Sequence, residues 1–197
     1  MYESFVDWYW SIFGVGENNV AFGSQIAALY SWLMLLAAGL TYLKYLKQQV
    51  PKFVCFAFAI VALSYSSTDL LMAGVNDFYR YFDEGDSFRA IAVSYTLLDS
   101  LTAILVMLVV QRMCKQANPF LDAVDIMVMI LLYNGAAHFL VNGYYMVVEQ
   151  GSVDWIAMLY SATIIITDGV LVLVMFFPAL GCWLKNISLR TQLKSAS

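Results

Sequence analysis

Residues 123–148, AVDIMVMILLYNGAAHFLVNGYYMVV, form one long apolar run that carries Asn134, His138 and Asn142 at four-residue spacing. Such a run exceeds the roughly 20 helical residues needed to cross a bilayer core. The alternation of a barrel strand is missing, and the spacing puts all three polar residues on one helical face. Backbone polar groups in lipid must be satisfied within their own segment, so a transmembrane helix with a single polar stripe is expected. Gly135, Ala136 and Ala137 lie in the same stretch and would let a second helix approach closely.

Four more apolar runs read the same way, near 20–43, 53–75, 90–110 and 155–177. The composition agrees: 62% of the 197 residues are hydrophobic and 12% charged, against a usual charged share of about 25%. That balance excludes an ordinary soluble domain and a disordered one. The expected fold class is all-α, a polytopic membrane protein with five transmembrane helices in one bundle over 20–185. Residues 186–197 would form a tail. In residues 1–19, Tyr2, Phe5, Val6, Tyr9 and Phe13 recur at helical spacing, with Trp8 and Trp10 as interfacial anchors. This pattern suits a short amphipathic helix in the headgroup region, acting as an anchor or as a lid over a vestibule.

Loop charges set the expected orientation. Lys44, Lys47, Lys52, Arg112, Lys115, Lys185, Arg190 and Lys194 all fall on one side of the five runs. The other side carries Glu3, Asp7, Glu17, Asp77, Asp83, Glu84, Asp86, Glu149 and Asp154, against only Arg80 and Arg89. Basic loops face the cytoplasm, so the amino terminus should be outside and the carboxyl terminus inside. A bacterial inner membrane is the expected location. Cys55, Cys114 and Cys182 map to the cytoplasmic ends, where no disulfide is expected.

The ionisable residues inside the runs are the candidate site. Asp69, Asp99 and Asp168 lie in three different runs and His138 in a fourth, and no lysine or arginine accompanies them. A bare carboxylate at the bilayer centre costs at least about 2.5–3.5 kcal/mol. Each acid should therefore be protonated, paired, or facing a polar cavity. Counting residues from the flanking charges places Asp99, His138 and Asp168 near one level, with Asp69 nearer the outer surface. Tyr65, Tyr95, Asn134, Asn142 and Ser161 are the supporting polar residues, each one or two turns from one of these four. Ser-Tyr-x-x-x-Asp occurs at 64–69 and again at 94–99, which is either coincidence or a trace of an inverted repeat.

Several chemistries lack their residues. A retinal Schiff base needs a lysine in a span, a bis-histidine haem needs a second histidine, and a bundle diiron site needs Glu-x-x-His pairs. No nucleotide-binding, nucleophile-elbow or zinc motif occurs. No cofactor and no nucleic-acid partner are therefore expected, any metal is unspecified, and an enzyme is disfavoured. Asp122 and Asp125 read as acids favoured by a helix N-terminus, or else as an acidic pair at the membrane surface. The leading expectation is a carrier or channel for protons or a small cation, with Asp69, Asp99, His138 and Asp168 as relay. One alternative is a non-catalytic subunit or assembly factor binding partner transmembrane helices through the same residues. Another is an intramembrane enzyme or a receptor for an apolar ligand. Besides the lipid bilayer, the expected partners are further copies of the chain or a larger membrane complex.

Overall fold

The computed structural model describes residues 20–79, 84–116, 118–147 and 155–185, with side chains omitted at 20–27, 69–79, 84–91, 145, 146 and 157. Five long helices account for most of them: α1 (Val20–Leu46), α2 (Lys52–Tyr79), α3 (Glu84–Met113), α4 (Leu121–Val147) and α5 (Trp155–Phe176). A short sixth helix, α6, covers 178–185. The protein is all-α. Of these helices, α3, α4 and α5 contain segments long and apolar enough to cross a membrane: Ala92–Met113, Leu121–Tyr144 and Met158–Phe176. The described apolar part of α2 is shorter, Lys52–Thr68. The amphipathic helix expected in 1–19 and the tail expected at 186–197 lie outside the described residues.

Helix ends follow local chemistry. Asn118 caps α4, its Oδ1 accepting the Phe120 N–H at 3.0 Å, with Pro119 at the first helical position. At the end of α1, Gln48 takes a left-handed φ of 57°. The Gln48 and Gln49 amides then bond back to the carbonyls of Tyr45 and Lys44 at 2.8 and 2.9 Å, a Schellman closure without the usual glycine. Pro178 opens α6 just after α5. Helix α2 continues beyond its apolar run through 76–79, and α3 begins ahead of its own at 84–89. Neither polar segment contains a proline to break the helix.

Each helix packs on its sequence neighbours, and α1 meets α5, so the five close into a ring. Tyr30 helps seal the closure, donating to the Ile165 carbonyl at 3.2 Å. Short connections between successive helices make neighbours antiparallel. The ring interior is divided along its length. The half near the α1–α2 and α3–α4 connections is filled with apolar side chains, among them Met34, Phe58, Val106, Met127, Leu131, Leu171 and Met175. The other half contains buried polar residues, Asp99, Asn134, His138 and Asn142. The exterior is strongly apolar, with Leu97 65%, Phe139 64% and Leu140 69% exposed. This inside-out distribution is that of a protein surrounded by hydrocarbon, in keeping with its three apolar helices.

Candidate functional site

Four helices bring the polar groups together, and the stripe on α4 is their centre. Asn134 is 1% exposed, His138 5% and Asn142 5%. Gly135 lets α3 approach: a Cβ there would lie 3.1 Å from Ser100 Oγ, 3.4 Å from the Thr96 carbonyl oxygen and 3.6 Å from Asp99 Cβ. This close packing is what places Asp99 beside His138.

One part of the network centres on Asp168. Its Oδ1 accepts from the Tyr65 hydroxyl at 2.6 Å and from Asn134 Nδ2 at 2.8 Å. The Asn134 Oδ1 in turn accepts from the Thr167 hydroxyl at 2.7 Å. Asn134 is thereby oriented, with its amide nitrogen toward the carboxylate and its oxygen toward the hydroxyl. Tyr65 reaches Asp168 across the ring interior, since the packing neighbours of α2 are α1 and α3.

The other part centres on His138. Its Nδ1 is hydrogen-bonded to the Tyr160 hydroxyl, and its Nε2 lies 3.5 Å from Asp99 Oδ2. Tyr95 stacks on the imidazole with centroids 5.0 Å apart and planes at 17°, while Tyr160 meets it edge-on. One tautomer satisfies both contacts, with Tyr160 donating to Nδ1 and the Nε2–H aimed at Asp99. Asp99 is 7% exposed, and 3.5 Å is longer than the roughly 2.7–2.9 Å of a charge-assisted hydrogen bond. Asp168 is within electrostatic reach of both Asp99 and Tyr65, so the two parts share one field.

Of the sequence candidates, the structure thus joins Asp99, His138, Asp168, Tyr65, Tyr95 and Asn134. Asn142 continues the α4 stripe, and its Oδ1 is buried with no hydrogen-bond partner among the described residues. Ser161 bonds back to the Met158 carbonyl on its own helix at 3.2 Å. Asp69 lies on α2 one turn beyond Tyr65, but its side chain is outside the described residues. Tyr160 carries a contact the sequence did not single out, and Ser64 and Thr102 add a 2.5 Å hydroxyl pair between α2 and α3. Of the two Ser-Tyr-x-x-x-Asp segments, the first brings Tyr65 to a carboxylate and the second stacks Tyr95 on the His138 ring.

Asp122 and Asp125 stand apart from this network. Lys185 Nζ donates to Asp122 Oδ1 at 2.7 Å and to Asp125 Oδ2 at 2.6 Å, tying α6 to the start of α4. These two bonds, with Asp122 first, hold the Lys185 ammonium above its ordinary pKa. Asp122 lies in the first turn of α4, as a helix N-terminal acid should, and with Asp125 it is also ion-paired to α6. Among the described residues, no group of three or more histidines, cysteines or acids could hold a metal ion. In comparisons with protein-family models, curated proteins and solved structures, the chain matches none.

Proposed function

We propose that the chain is an integral membrane carrier or channel for protons or a small cation, with Asp99, His138 and Asp168 as its relay. Asp69 joins the same relay, on the outer side. In this reading all five long helices span the membrane, with the amino terminus outside and the carboxyl terminus in the cytoplasm of a bacterial cell. The observation that carries the proposal is the double network of Tyr65–Asp168–Asn134–Thr167 and Asp99–His138–Tyr160. Two carboxylates, an imidazole and two phenols are gathered inside a ring of helices with no lysine or arginine among them. Interhelical hydrogen bonds in membranes average only about 0.6 kcal/mol, which serine or threonine would supply without a carboxylate's cost. Acids and an imidazole can in addition gain and lose protons.

The apolar half of the ring favours a carrier over an open channel. Phe58, Met127, Leu131, Leu171 and Met175 fill the interior on the side assigned to the cytoplasm. A proton reaching the network would pass that layer only after the helices shift. Reconstitution of the purified chain in liposomes tests the proposal. Proton or cation flux above that of protein-free liposomes is expected. Absence of flux, together with co-purification of a membrane partner carrying a basic residue in a span, would favour the partner-binding reading instead.

A further inference from the structure

Two acceptor groups beside His138 are short of donors among the described residues: the fully buried Asn142 Oδ1 and the partly accessible Asp99 carboxylate, whose side chain is 11% exposed. Asn142 Oδ1 has no hydrogen-bond partner there. The Asp99 carboxylate has only the 3.5 Å approach of His138 Nε2. A fully buried acceptor such as Asn142 Oδ1 is costly to leave without a donor, on the order of 1–3 kcal/mol. The counterparts of these two groups in the same network are all supplied: Asn134 gives and receives, and Asp168 accepts from two donors. The shortfall is confined to the outer end of the stripe.

We propose that Asn142 and Asp99 form a water-binding port through which protons, rather than metal ions, reach the Asp99 carboxylate beside His138 from the outer side. This rests on the transport reading for its direction of travel. Asn142 follows His138 by one turn, about 6 Å along the helix axis. Water supplies donors, which Asn142 Oδ1 lacks and the partly accessible Asp99 carboxylate can accept. A metal ion would need a fuller ligand shell, commonly six or more oxygens for calcium, and both nitrogens of His138 already face Tyr160 and Asp99. The proton transfer is balanced without a co-reactant: a proton arriving on the port water moves to the Asp99 carboxylate and leaves a neutral water behind. It leaves Asp99 again as the helices shift. The apolar filling at the opposite end stops the water column beyond the network, so the port opens to one side only.

The test uses the full chain in liposomes. Asn142→Cys is exposed to methanethiosulfonate ethylammonium from outside, and adducts are counted by intact mass against the unaltered chain, which has three cysteines of its own. Leu140→Cys, at a lipid-facing position 69% exposed, is the control, because a thiol in hydrocarbon does not ionise to react. One extra adduct at Asn142→Cys and none at Leu140→Cys is expected. No adduct at Asn142→Cys, or equal labelling at both, overturns the port. In parallel, Asn142→Leu should lower proton flux about tenfold, Asn142→Asp should retain it, and replacing sodium by choline should leave it unchanged. Full flux in Asn142→Leu, or dependence on sodium, overturns the proposal as well. Labelling at Asn142→Cys in a protein that moves no protons would keep the hydrated site and remove the transport reading, so the two failures are distinct.

Discussion

Tyr65 on α2 donates a 2.6 Å hydrogen bond to Asp168 on α5, joining two helices that do not neighbour each other in the ring. The bond crosses the interior and ends on the same carboxylate oxygen that accepts from Asn134 Nδ2. Asp168 is thus fixed by two donors, while Asp99 is held loosely at 3.5 Å from His138. Of the two acids, Asp168 is the more firmly held and Asp99 the less.

The first prediction follows from that grip. Tyr65→Phe removes one donor and should cost on the order of 1 kcal/mol, within the range of single interhelical bonds in membranes. Asn134→Leu should cost more, because it strips Asp168 of a donor and also breaks the link from α4 to the Thr167 hydroxyl, which is left with only the Thr163 and Ile164 carbonyls of its own helix. Thermal unfolding in detergent, with the two variants side by side, checks the order. Equal stability of Asn134→Leu and wild type would show that the network does not hold the helices.

A second prediction concerns the α3–α4 contact. At Gly135, a methyl would stand 3.1 Å from Ser100 Oγ, a side chain that can rotate away, but also 3.4 Å from the Thr96 backbone oxygen. Gly135→Ala should therefore be mild, and Gly135→Val should separate the helices at a cost of about 1–3 kcal/mol. The separation would widen the Asp99–His138 distance, so Gly135→Val should also impair any flux carried by that pair. A fully stable and active Gly135→Val would contradict the close packing.

The α6 anchor gives a third. A Cβ at Gly181 would fall 2.5 Å from Ala123 Cα, which is backbone and cannot yield cheaply. Gly181→Ala should dislodge α6, read as faster proteolysis near the carboxyl terminus. Lys185→Met should have a smaller effect, since partly exposed ion pairs contribute about 0.2–1 kcal/mol and are screened by salt. Its pH dependence has a definite sign. The Lys185 pKa is raised in the folded state, so the anchor is fully present below the ordinary value of 10.5 and is lost as pH rises through the higher folded value. Proteolysis of the tail should be flat from pH 7 to pH 9 as far as Lys185 is concerned, and a rise within that window in wild type, absent from Lys185→Met, would contradict this.

Topology supplies a fourth. With five spans, Ser87→Cys should react with an impermeant thiol reagent from outside and Ser195→Cys only from inside. The reverse pattern would invert the orientation, and reaction of both on one side would require an even number of spans between Ser87 and Ser195.

The helices were legible in the sequence because an apolar run of span length has few alternatives in lipid, and the Asn118-Pro119 cap was legible from local chemistry alone. The α4 stripe was readable from its four-residue spacing, as was the close approach at Gly135. Other features required the three-dimensional arrangement. Tyr160 sits among many aromatic residues, and nothing in its neighbourhood distinguishes a tyrosine that meets a buried imidazole from one at the lipid interface. Lys185 is separated from Asp122 by 63 residues, and no pattern along the chain predicts which cation those acids will find. Nor does apolar composition reveal that the ring is packed solid in one half and polar in the other, because both halves are drawn from runs of similar hydropathy.

The most direct test of the relay is proton flux into liposomes holding purified wild type, Asp99→Asn or Asp168→Asn, driven by an imposed membrane potential and read by an internal pH dye. Asparagine keeps the shape of the carboxyl side chain but cannot titrate, so both variants should fold. Wild type should acidify the lumen well above protein-free liposomes, and both variants should fall to that background, with Asp168→Asn also losing stability. Full flux in both folded variants, or no flux in wild type, would contradict the relay and leave these acids as structural partners between helices.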